Sequence, residues 1–267
     1  MQASDKGRTR NCLVACVDGG LVNKLLAYLS LRVISDWLDL ELSIYYTDHL
    51  GGLCGDLDVV FTDERVQSIS QGEYAHILQR SKLIFSRFYF EQFVEDQGLL
   101  KDHGFSIGEF YLILTPRFIP REIFHEKMMA QWKSLKVHQE ILDRVPKVDK
   151  KDVAVHCRLH HQGIRIPVEK YVSIIEQNLA DPEVSRIFIA CDDPDIKAHL
   201  LEVDTNRCYA NELTAYWKDK GNQGVIDAMV DILTIDKTKR VYSPNGSSFC
   251  SLSAMYNPSV ECILVTP

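Results

Sequence analysis

Apolar residues are spaced in two ways along this chain. Short runs rich in Val, Ile and Leu alternate with longer stretches in which apolar residues recur at every third and fourth position. The run at 11–17 stops at Asp18-Gly19-Gly20, which predicts a buried strand closing on a glycine turn. Leu25, Leu26, Leu29, Val33 and Trp37 follow at helical spacing, and 41–46 is the next strand. Strand, turn, helix and strand in that order make a βαβ unit of a parallel sheet. The pattern from 48 to 120 is weaker, with strands expected at 58–62, 82–90 and 110–115. Pro116 and Pro120 interrupt the chain, and 121–145 carries the charged amphipathic pattern of one long helix ending before Pro146.

A polar stretch at 147–152 marks the expected boundary between an N-terminal domain, 1–147, and a C-terminal domain, 148–267. The second half repeats the alternation more cleanly. Strands are expected at 153–158, 186–191, 240–243 and 260–265. Helices are expected at 168–179, from Pro194 to about 203, at 223–234 and at 247–256. Two consecutive α/β units of this size predict two Rossmann-like domains facing each other across a cleft.

Composition narrows the function classes. The chain has 267 residues, 46% of them hydrophobic and 25% charged, which suits a soluble globular protein able to bury a core without metals or disulfides. Thirty Lys and Arg against 37 Asp and Glu leave a net charge of −7, giving no attraction to a nucleic-acid backbone. A diphosphate needs only one Arg and a few amides, so a nucleotide ligand stays open. The apolar stretch 21–38 is broken by Asn23, Lys24, Arg32, Ser35 and Asp36 and predicts an amphipathic helix, not a membrane span. The polar N-terminus shows no signal-peptide core, so the expected location is cytoplasmic. Eight scattered cysteines without a CxxC pair are expected to be reduced, mostly buried thiols.

Ligands of open α/β sheets bind beyond the carboxyl ends of strands, near helix N-termini. Four such ends carry polar residues here. Asp18-Gly19-Gly20-Leu21-Val22-Asn23-Lys24 offers backbone amides, though a plain strand-to-helix turn explains it as well. His156-Cys157-Arg158 puts His156 and Arg158 on one face, and an Arg fork there suits a phosphate. Cys191-Asp192-Asp193-Pro194 opens a helix that Asp192 alone would cap. Ser243-Pro244-Asn245-Gly246-Ser247-Ser248 opens another, with free amides and hydroxyls. Asp227 and Asp231, four apart, read first as a solvated helix face. His156, His160 and His161 lack a known zinc-ligand spacing, so no metal is assigned and a metallohydrolase is the weakest reading.

In order, His156-Cys157-Arg158, Tyr171, Ile187 through Pro194, a helix carrying Asp231, and Ser247-Ser248-Phe249 resemble the GDP-fucose-binding half of the fucosyltransferase superfamily. That superfamily holds the α-1,6-, nodulation-factor and protein O-fucosyltransferases, and the resemblance covers roughly 153–257. Gly19-Gly20-Leu21-Val22-Asn23-Lys24 is similar to its N-terminal glycine turn, with Val22 and Lys24 departing from the pattern. Leu159 and His161 stand where the α-1,6 branch has a second Arg and an Asp. The resemblance implies a compact GT-B fold and an inverting, metal-independent transfer from a GDP-sugar co-substrate, GDP-fucose first, to a glycan or protein hydroxyl. It implies Arg158 at the leaving phosphate and donor contacts from Gly19, Gly20, Asn23, His156, Tyr171, Asp192, Asp193, Asp231, Ser247 and Ser248. Asp18 is the candidate base, by its position in the turn. The alternative is a catalytically inactive binder of nucleotide sugars or glycans with the same fold.

Overall fold

A computed structural model describes residues 12–17, 20–38, 40–47, 55–80, 83–86, 110–115, 122–158, 166–212, 221–245, 247, 249, 252, 257 and 259–267. The chain forms two compact units, Met1–Gly52 with Thr62–Lys136, and Leu53–Phe61 with Val137–Pro267.

The first unit opens with β1 (Cys12–Val17), α1 (Leu21–Leu38) and β2 (Glu41–Tyr46). After a 3-10 turn at Leu57–Val59 that belongs to the second unit, and β3 (Phe61–Thr62) at the boundary, come β4 (Val66–Ser68), α2 (Gln71–Arg80), β5 (Leu83–Ser86), β6 (Phe110–Thr115) and α3 (Glu122–Ser134). Its five-stranded sheet runs β4-β2-β1-β6-β5 with every pair parallel. The strand expected at 58–62 is a 3-10 turn followed by only two extended residues.

Helix α1 departs from the amphipathic expectation. Besides its apolar residues, Lys24, Ser30, Arg32 and Ser35 are buried. Arg32, 2% exposed, is neutralised by Asp36 at 2.9 Å and Asp63 at 3.0 Å, and the Tyr28 hydroxyl donates to Asp63 at 2.6 Å. A buried charge is tolerated because it is paired. Helix α2 went unpredicted, although Ser70 and Glu73 form a reciprocal capping box, Glu73 accepting from the Ser70 amide at 2.8 Å.

The second unit continues with β7 (Lys136–Val137), α4 (Gln139–Arg144), β8 (Val153–Cys157), α5 (Val168–Leu179), β9 (Ile187–Cys191) and α6 (Pro194–Leu201). β10 (Cys208–Tyr209), α7 (Asn222–Ile235), β11 (Arg240–Pro244) and β12 (Glu261–Val265) complete it. The sheet order is β10-β9-β8-β11-β12, again all parallel. One face of β8 and β9 packs Val153, Val155, Cys157, Ile187 and Ile189 with Tyr171 and Ile175 of α5. The other packs Ala154, Phe188 and Ala190 with Ile235 of α7 and Val241 of β11. Coverage on both faces is why these strands are continuous apolar runs. Strand order reverses direction between β8 and β11, which puts a switch point at the carboxyl ends of those two strands.

The long helix expected at 121–145 is two helices. α3 ends at Ser134 and α4 begins at Gln139, because the residues between them extend as β7 and pair with β3. The two compact units meet there, between Lys136 and Val137. Ile141 of α4 is fully buried, Arg144 reaches Asp227 of α7 at 2.6 Å, and Gly55 packs directly on Val225 and Asn222 of α7. Of the helix expected at 247–256, only 247, 249 and 252 lie among the described residues.

Cys16, Cys157, Cys191 and Cys208 are free thiols, but Cys262 of β12 is disulfide-bonded. This corrects the expectation of eight reduced cysteines; the bonding partner lies outside the described side chains. Among the described residues, no helix is long and apolar enough to cross a membrane.

Candidate functional site

The switch point of the second unit gathers several of the singled-out residues. His156 is the penultimate residue of β8 and 6% exposed. β11 lies beside β8 in parallel register, Tyr242 opposite Val155, so Ser243 comes level with His156. The His156 Nδ1 and Ser243 Oγ are 3.0 Å apart, and Ser243 is fully buried. Phe249 stacks on the imidazole, with ring centroids 4.7 Å apart and planes 26° from parallel. Ser247 is buried, its amide bonding the Pro244 carbonyl at 3.1 Å and its Oγ accepting from the Phe249 amide at 3.4 Å. The turn after β11 is thereby folded onto His156. Arg158 follows β8 and is partly exposed.

The neighbouring strand end supplies two carboxylates. Cys191 ends β9 opposite Cys157, and Asp192 and Asp193 follow. The helix cap is Asp193, not Asp192. Its Oδ1 accepts from the Asp195 amide at 3.0 Å and the Ile196 amide at 3.1 Å, ahead of Pro194 in the first turn of α6. One oxygen of Asp192 is buried with no hydrogen-bond partner among the described residues. A buried carboxylate oxygen without a donor is uncommon in folded proteins and marks a place where a ligand group can donate.

Two other candidates are committed inside the protein. Tyr171 of α5 is fully buried, its phenol beside the Cys157 thiol, and burial first and that thiol second hold it well above the usual tyrosine range. Asp231 of α7 accepts from Asn211 Nδ2 at 2.7 Å, while Lys197 of α6 donates to the Asn211 carbonyl at 2.9 Å. Burial pushes the Asp231 carboxyl up from 3.8 to about 6, against the pull of Lys197 and of the Asn211 hydrogen bond. Asp227 is 5% exposed, held by Arg144 at 2.6 Å and Gln223 at 3.1 Å. The reading of Asp227 and Asp231 as a solvated face is therefore overturned. Helix α7 is buried on both sides, and each carboxylate has a dedicated partner.

In the first unit, Gly20 accepts from the Lys24 amide at 3.0 Å as the first helical turn forms, and Asn23 is partly exposed in that turn. Asp18, Gly19 and Ser248, like His160 and His161, lie outside the described residues. Among the described residues, no group of three or more His, Cys, Asp or Glu is placed to hold a metal. Sequence reasoning missed Ser243 and Phe249 as partners of His156. The alternation of β11 was the available signal for Ser243, since it turns Tyr242 to one face and Ser243 to the other.

No family model matches the chain, and no curated protein sequence does. Solved structures do match. NodZ α-1,6-fucosyltransferase, a Bradyrhizobium enzyme, soaked with GDP-fucose, aligns with a TM-score of 0.61 at 14% identity, covering 94% of this chain and 94% of that one. POFUT1 in its apo form aligns at 0.59 and 12% identity, covering 98% of this chain and 99% of that one. A mutant of Arabidopsis thaliana FUT1 in complex with GDP aligns at 0.59 and 10% identity, covering 99% of this chain and 72% of that one. The chain has the α/β fold that these fucosyltransferases share.

Proposed function

We propose that this protein is an inverting glycosyltransferase of the GT-B type, its two units the Rossmann-like halves of that fold. The donor is a GDP-sugar, with GDP-fucose as the first candidate, and the acceptor is a glycan or protein hydroxyl. One observation carries the reading. The His156-Cys157-Arg158 strand end and the Ser243–Ser247 turn meet at the switch point of a parallel sheet. Structural neighbours solved with GDP or GDP-fucose support the nucleotide.

The chemistry follows from charge. As the sugar leaves, the bond from its C1 to the β-phosphate oxygen breaks, and the electron pair stays on GDP. Arg158 supplies the cation that neutralises this developing charge, in the role a divalent metal has elsewhere. The acceptor oxygen attacks C1 from the opposite face and gives its proton to Asp18, which follows β1 in sequence. The unpartnered oxygen of Asp192 takes a hydrogen bond from the guanine or ribose. Asp193 is occupied as a cap, and Tyr171 and Asp231 support the site from within the core. The disulfide at Cys262 supports an oxidising compartment for the reaction.

Thermal unfolding with added nucleotide tests the donor. GDP at a hundred times its dissociation constant adds about 2.7 kcal/mol and raises Tm, whereas UDP and CDP leave it in place. Stabilisation by UDP or CDP and none by GDP removes the donor assignment.

A further inference from the structure

We infer that Ser243 is a positioning residue for His156: its hydroxyl donates to Nδ1 and so holds the neutral imidazole in the tautomer that carries its proton on Nε2. The inference deepens the nucleotide-sugar reading by stating which way the site histidine is polarised. It rests on that reading only for the ligand and not for the tautomer.

The Nδ1 to Oγ distance of 3.0 Å allows either direction of donation. Burial decides between them. Ser243 is 0% exposed, and among the described residues its hydroxyl has one hydrogen-bond partner, the His156 ring. If Nδ1 carried the proton and Ser243 accepted it, the serine O–H would be left buried with nothing to donate to. Such an orphaned donor costs about 1–3 kcal/mol. If the serine donates, its hydrogen is satisfied and only a lone pair goes unused, which is cheaper. The proton then remains on Nε2.

Phe249 fixes the rest of the geometry. Stacked at 4.7 Å and 26°, it holds the ring plane, while the Ser243 hydroxyl marks the edge that carries Nδ1. In its neutral form the ring then carries its proton on Nε2, the polarity suited to a phosphate or ribose oxygen and wrong for the N–H groups of a base.

Nitrogen-15 NMR of histidine-labelled protein in slightly alkaline buffer reads the tautomer directly, with His156 assigned from the signal lost in His156→Gln. The wild type is expected to show a pyridine-like Nδ1 and a protonated Nε2. Ser243→Ala is expected to move the ring toward the other tautomer and weaken GDP binding about tenfold by calorimetry. Ser243→Thr should restore both. Glutamine places an amide N–H near the Nε2 position, so His156→Gln should keep most of the GDP affinity and lose its dependence on residue 243. A protonated Nδ1 in the wild type, or a tautomer unchanged in Ser243→Ala, overturns the inference. The wild-type spectrum decides the matter even if Ser243→Ala does not fold. If GDP binds no variant and not the wild type, the nucleotide reading fails while the tautomer is still read without it.

Discussion

Asp231 illustrates how a single buried carboxylate makes stability depend on pH. Its carboxyl is pushed from 3.8 to about 6 by burial, with Lys197 and Asn211 only partly offsetting the shift. The sign follows from linkage. Below 3.8 the group is protonated folded and unfolded, and contributes nothing. As pH rises from there to about 6, the unfolded chain ionises while the folded one resists, so stability falls, by on the order of 3 kcal/mol at most. Asp231→Asn keeps an acceptor for Asn211 and should lack that decline, seen as a flatter curve of unfolding free energy against pH. Parallel curves for the two proteins would show that the shift is absent. At this scale the sequence was informative where local chemistry decides, as for the strand-end polarity of His156 and Arg158. It misread Asp227 and Asp231 as a solvated face, because an i,i+4 spacing says that two residues share a helix face but not what covers it. Arg144 and Asn211, which do cover them, lie 83 and 20 residues away.

Helix α6 is the element on which capping and ligand contact can be separated. Asp193 accepts from two amides of its first turn, and removing a cap costs about 1 kcal/mol. Asp193→Ala should therefore lower stability by that amount, while Asp193→Asn should nearly retain it, since Asn caps almost as well. Chemical denaturation with and without GDP measures both quantities. Loss of GDP affinity in Asp193→Asn at unchanged stability would show a charge requirement beyond the cap; loss of neither makes the residue structural. The long elements of the second unit were legible from period and punctuation, with the helix at Val168–Leu179 found residue for residue. The failures were elements fixed by distant partners. β7 interrupts a good helical pattern because it pairs with β3, and two-residue strands such as β10 carry no period at all.

For the whole molecule, two parallel sheets could be read from the alternation of strands and helices, because the central strands β8 and β9 are covered on both faces and helices α5, α6 and α7 make the crossovers from β8 to β11. The division between units could not. The segment 53–61 joins the second unit through contacts with α7 that are far apart in sequence. Nor was the state of Cys262 legible, since spacing alone does not show which cysteines meet. Alkylation of denatured, unreduced protein followed by peptide mass analysis should leave Cys262 unmodified while Cys16, Cys157, Cys191 and Cys208 are labelled. A labelled Cys262 would contradict the disulfide and restore the reducing compartment.

Release of GDP from GDP-fucose, with water or an added glycan as acceptor, tests the central claim most directly. The wild type should release GDP above the uncatalysed background, and Arg158→Ala should release it at least about 10² more slowly while still binding GDP. A wild-type rate no faster than background, with GDP bound normally, would show an inactive binder of nucleotide sugars; a rate unaffected by Arg158→Ala would remove Arg158 from the mechanism.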